Sequence, residues 1–161
     1  MLKQLTNFTP EEFESQKHPF TIKRLSPTIG AELHDIDLKK DLSQEEKDHI
    51  YNALLTYKVI FFRNQDITTE EHLRFGEYFG ELEIHPFAPL GANREEHPEV
   101  LRITHNKENK PRENAWHSDV TWRLEPSLGS ILRMIETPPV GGDTLFANME
   151  AAYENLPDEI K

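Results

Sequence analysis

The sequence predicts an α+β domain with a mainly antiparallel sheet, on three observations. Helix-start signals alternate with short strand-like runs as far as Gly80. Strand-like runs then follow one another with loops between them, and no linker, low-complexity run or internal repeat interrupts the 161 residues. That length suits one domain, spanning residues 1–161, with enough chain to bury a core.

Thr9-Pro10-Glu11-Glu12 combines an N-cap, a proline at the first helical position and a capping-box glutamate, so a short helix starts there. Phe20 to Leu25 alternates as a strand, and Ile29 to Leu33 makes a second short one. Ser43-Gln44-Glu45-Glu46 is another capping box, opening a helix to about Tyr57 with Ile50, Ala53, Leu54 and Tyr57 on its apolar stripe. Val59 to Phe62 is too short and too β-rich for a helix and reads as a buried strand. Thr68-Thr69-Glu70-Glu71 begins a third helix that Gly80 ends after Phe79. Strands are expected at Glu99–Thr104, around His117, at Leu128–Ile135 and at Thr144–Ala147. Between the last two, Pro138 to Asp143 forms a compact turn. Asn148 caps a helix to about Leu156, and Pro157 to Lys161 resembles the first turn of another, so the chain is expected to be cut short.

Charge and composition narrow the function. With 18 basic against 29 acidic residues, the formal charge of −11 repels phosphate backbones and anionic lipid, so neither nucleic acid nor membrane is an expected partner. There is no cysteine, which removes disulfides, thiolate metal sites and thiol nucleophiles. Any metal must be held by His, Asp, Glu and water, a donor set that favours iron(II), manganese or an open zinc site. Met1 to Asn7 lacks the apolar run of a signal peptide, and the expected compartment is the cytoplasm.

Two histidine–carboxylate pairs have the spacing that puts both side chains on one side of an extended backbone. They are His117-Ser118-Asp119 and His97-Pro98-Glu99. Pro98 suits a turn or strand edge, whereas Val120-Thr121-Trp122 continues the first pair as a β-branched, aromatic run. His117 and Asp119 are therefore the better candidates for two ligands of a facial iron(II) site. Chance competes, because 8 histidines and as many aspartates in 161 residues give His-x-Asp about 0.4 times in random order. The plain alternative is a strand-edge histidine bonded to a neighbouring carboxylate.

Longer stretches are more specific. Phe79 to Pro86, Trp116 to Trp122 and Gly141 to Asn148 together resemble, in order, the taurine dioxygenase (TauD/TfdA) family of iron(II)- and 2-oxoglutarate-dependent dioxygenases. The resemblance runs from about Phe20 onwards. It implies a double-stranded β-helix, or jelly roll, with flanking helices, incomplete in this chain. It implies iron ligation by His117 and Asp119, a 2-oxoglutarate contact from Thr144, and substrate contacts from His85 and Asn114. The reaction implied is hydroxylation of a small organic substrate with dioxygen and 2-oxoglutarate; taurine or another alkylsulfonate would release sulfite. Trp116 and Trp122 are expected to pack and fix the ligand strand, while His18, His34, His49, His72 and His105 are expected to be exposed.

The sequence departs from the family pattern in several places. The distal histidine ligand and the arginine for the 2-oxoglutarate carboxylate are absent, since no histidine follows His117 and only Lys161 is basic after Thr144. Ala88 stands where the taurine enzyme has tyrosine, and Glu113 replaces an asparagine with Asn114 beside it, so a small anion would not be held in the same pose. Two other readings follow from these gaps, a catalytically incomplete half-barrel acting as a fragment or binding module, and an open-site zinc hydrolase. Self-association into a homo-oligomer is left open.

Overall fold

In the computed structural model the described residues are 8–84, 96–106, 108–109 and 115–161. Two compact units are present: residues up to His72 together with Ile135–Lys161, and Leu73–Met134.

The first unit follows the local signals closely. Helix α1, Pro10–Glu14, starts at a full capping box in which Glu12 N–H donates to the Thr9 side chain and Thr9 N–H donates to the Glu12 carboxylate. Strand β1, Thr21–Arg24, pairs antiparallel with β2, Ala31–His34, with Thr21 opposite His34 and Arg24 opposite Ala31. Their connection is closed by Leu25 N–H donating to Gly30 O at 2.9 Å, with Gly30 in the left-handed region at φ +88°. Helix α2, Gln44–Tyr57, has its own capping box at Ser43 and Glu46 and buries Ile50, Ala53, Thr56 and Tyr57. Leu54 is only half-buried, and Thr56 takes the fourth place on the inner face.

Strand β3, Ile60–Phe61, lies parallel to β2, with Ala31 opposite Ile60 and Glu32 opposite Phe61. The sheet order is therefore β1-β2-β3 and the sheet is mixed. Expectation and structure differ here because α2 is a crossover, and a helix of that length returns the chain to run beside β2 in the same direction. Val59 to Phe62 yields only two strand residues, half-buried, rather than a buried strand. Phe13, Leu33 and Ile50 are the largest fully buried side chains, and they fix α1, the sheet and α2 around one core.

Glu32 is a charged member of this core at 8% exposure. A buried carboxylate is costly unless paired. Arg63 Nε donates to it at 2.9 Å, Lys23 Nζ lies at 3.5 Å and His34 Nε2 at 3.1 Å, and the Arg63 bond in particular holds its pKa below the ordinary carboxylate range. Helix α4, Met149–Glu154, is capped by Asn148, whose side chain accepts from Ala151 N–H and donates to Thr28 O at 2.7 Å.

In the second unit, helix α3, Thr69–Glu77, ends with Tyr78 and Phe79 amides tightening the last turn onto Phe75 and Gly76. Its start, just outside that unit, is a capping box of Thr68 and Glu71. Leu82 folds back on Gly76, where an added Cβ would sit 2.8 Å from a Leu82 methyl group. A larger residue at Gly76 would make the end of the Leu82 side chain shift.

Residues 99–104, 116–122, 128–135 and 144–147 carry no strand, contrary to the sequence expectation. Strand propensity is a side-chain preference that needs a neighbouring strand to bond with. Here Ile103, Trp122, Leu132 and Leu145 are all exposed instead of lining a shared face. Trp116 and Trp122, both 70% exposed, likewise do not pack as expected. Among the described residues, no helix is long and apolar enough to cross a membrane.

Candidate metal site

The segment that carries His117 and Asp119 is built locally. Residues 119–122 form a turn closed by Arg123 N–H donating to Val120 O at 3.1 Å. Val120 sits at φ +47°, in the left-handed region. For a β-branched residue this conformation is strained by about 1–3 kcal/mol. His97-Pro98-Glu99, the competing pair, forms a turn in which Val100 N–H donates to His97 O, as its proline suggests.

His117 Nδ1 lies 3.0 Å from Ala115 O. A carbonyl oxygen only accepts, so Nδ1 carries the proton and the imidazole is fixed in that tautomer. Nε2 then turns toward Asp119 Oδ1 at 3.3 Å. In the neutral imidazole a lone pair faces a carboxylate oxygen, an arrangement that calls for a proton or another cation between them. Cis ligands each about 2.1 Å from a metal would be separated by about 3 Å, so this nitrogen–oxygen pair fits two adjacent positions of one ion. The backbone bond on the other ring nitrogen is what metal-ligating histidines ordinarily have. Both side chains are about two-thirds exposed, at 67% and 69%.

Among the described residues no group of three or more His, Cys, Asp or Glu converges as a metal site. Thr144 is exposed and belongs to the first unit, whereas His117 and Asp119 belong to the second. It follows Gly141 and Gly142, both in the left-handed region at φ +79° and +77°. His85 and Asn114 lie outside the described residues.

The model of the taurine catabolism dioxygenase TauD, TfdA family matches residues 21–161. The chain belongs to this family. An alkylsulfatase from Acinetobacter baylyi is 37% identical over 141 residues, covering 87% of this chain and 43% of that protein. An α-ketoglutarate-dependent sulfate ester dioxygenase from Pseudomonas putida is 33% identical over 153 residues, covering 94% and 48%. The crystal structure of a taurine dioxygenase from Burkholderia xenovorans superposes with a TM-score of 0.74 and 40% identity, over 88% of this chain and 49% of that one. The chain thus spans less than half the length of these two curated relatives. The TauD-like fold is shared over the matched part.

Two features of this TauD-family chain were not legible as interactions in its sequence. His18 Nδ1 lies 3.0 Å from His49 Nδ1, and His18 Nε2 donates to Phe13 O at 2.7 Å. Both imidazoles are half-buried, and so are His34 and His72, contrary to the expectation that these are exposed; only His105 is. Phe13, Phe20 and His49 surround His18, with ring centroids 4.3, 5.8 and 5.1 Å from its own. The second feature is Glu83, whose carboxylate accepts from the Arg123 guanidinium and from Ser127 Oγ.

Proposed function

We propose that this chain is the iron-binding part of a single-domain iron(II)- and 2-oxoglutarate-dependent dioxygenase with a jelly-roll fold. The observation that carries this reading is the His117 imidazole, fixed by Ala115 O so that Nε2 faces the Asp119 carboxylate. His117 supplies a neutral nitrogen donor and Asp119 a single negative charge, which suits a divalent ion that still has to accept a cosubstrate and dioxygen. Thr144 holds the 2-oxoglutarate carboxylate, and His85 with Asn114 meets the substrate anion. When bound, iron(II) with 2-oxoglutarate supplies oxidative hydroxylation of a C–H bond, consuming dioxygen and yielding succinate and carbon dioxide.

The substrate class is a small organic sulfonate or sulfate ester. Support comes from the relatives, named an alkylsulfatase and a sulfate ester dioxygenase. Hydroxylation of the carbon next to the sulfonate sulfur, or next to the ester oxygen, would release sulfite or sulfate with an aldehyde. Ala88 and Glu113, which replace an aromatic wall and an amide of the taurine enzyme, point away from taurine itself. Incubation with iron(II), 2-oxoglutarate, dioxygen and a panel of alkyl sulfates, alkylsulfonates and taurine tests this. Succinate formed in step with aldehyde is expected, most with an alkyl sulfate or alkylsulfonate. Unconsumed 2-oxoglutarate with every substrate would sink the dioxygenase reading, and turnover of taurine above all others would sink the substrate assignment.

A further inference from the structure

Glu83 and Arg123 stand 40 residues apart and pair directly beside the metal turn. Arg123 closes that turn through its own amide, which donates to Val120 O, and its guanidinium lies 5.1 Å from the centre of the Trp122 ring. Glu83 also accepts from Ser127 Oγ at 2.5 Å, so one carboxylate spans both sides of the loop that follows Asp119. Leu82, immediately before it, is seated on Gly76 of α3. A continuous set of contacts therefore runs from α3 through Leu82 and Glu83 to Arg123 and the turn.

Charge gives this staple its importance. Arg123 is in the same turn as Asp119, four residues on, and a guanidinium is a planar, permanently charged partner for carboxylates. With its side chain only 25% exposed, it is held against Glu83 rather than left in water. Released from Glu83, the guanidinium has Asp119 four residues before it and Glu125 two after it in sequence, and at Asp119 it would compete with any cation for the same oxygens. We propose that Glu83 is a positioning residue that sequesters Arg123 and so keeps the Asp119 carboxylate available to the metal. This rests on the metal reading of His117 and Asp119.

Cobalt(II) titration of the chain, followed by visible absorption, separates the two. The wild type binds and His117→Ala loses the band; if those two behave alike, the metal reading falls and this proposal falls with it. Given binding, Glu83→Gln weakens cobalt(II) affinity about tenfold, the lower end of the effect of outer-shell partners. Arg123→Gln binds at least as tightly as wild type, because the competitor is gone, and Glu83→Gln with Arg123→Gln recovers most of the loss. A purely structural staple predicts the opposite for both. Wild-type affinity in Glu83→Gln, or weakened affinity in Arg123→Gln, overturns the proposal, and the second result stands even if Glu83→Gln does not fold.

Discussion

Residues 8–75 and residues 115–146 handle apolar side chains in opposite ways. Among the described residues every buried apolar side chain lies between Phe13 and Phe75, whereas Trp116, Trp122, Leu128, Leu132, Ile135 and Leu145 are exposed. The two stretches differ little in their appetite for burial, so what separates them is partners. The first closes its own sheet through a hairpin and a helical crossover, and its neighbours in space are near in sequence. The second has strand-forming residues without strand neighbours, and its order comes from turns and single polar contacts. A ligand pair can still be preset on such a turn, because two residues and one backbone carbonyl suffice.

The sharpest way to break this contrast is truncation on each side. Phe13→Ala empties a site 1% exposed between α1 and α2 and is expected to cost about 3–5 kcal/mol, read from urea denaturation. Leu132→Ala, at 68% exposure, is expected to stay within about 0.5 kcal/mol. Equal losses would show that the second stretch has a core of its own. Native-state hydrogen exchange sharpens the same point, since amides of β2 should be protected to near the global stability and those of 128–135 should exchange rapidly.

The His18–His49 contact gives the first region a pH dependence. Burial, and then the neighbouring His18, hold His49 below its ordinary pKa, against the opposing charges of Glu45 and Asp48. The unfolded chain therefore binds the proton more readily, and stability rises with pH. It is complete above about pH 6.5 and is lost as pH falls through the lowered value in the fold. Urea midpoints of the wild type should fall between pH 8 and pH 5.5, and His49→Asn should flatten that fall. A flat wild-type profile would refute the assignment. A modest effect is expected at the caps, where Thr9→Ala or Ser43→Ala should cost about 1 kcal/mol by the same denaturation.

Legibility in the sequence followed the same division. Capping boxes at Thr9, Ser43 and Thr68 were readable because the partners sit three residues apart, and all three form. Strands β1 and β2 were readable one by one from the pattern within each segment, whereas their pairing was not part of that reading. The parallel pairing of β2 with β3 was not, because direction depends on the path of α2 rather than on any residue in the strands. At the candidate metal site, the His117/Asp119 spacing was visible, although a turn with Val120 at positive φ follows the pair where a strand was expected. Glu83 was hidden, since nothing within its own segment signals a partner as distant as Arg123.

The most direct test adds iron(II) and then 2-oxoglutarate to the chain without oxygen and records the visible spectrum beside Asp119→Ala. The account predicts a charge-transfer band that needs both additions and disappears in the variant. A band that survives in Asp119→Ala, or no band in the wild type, would contradict the assignment of His117 and Asp119 as a preset iron site.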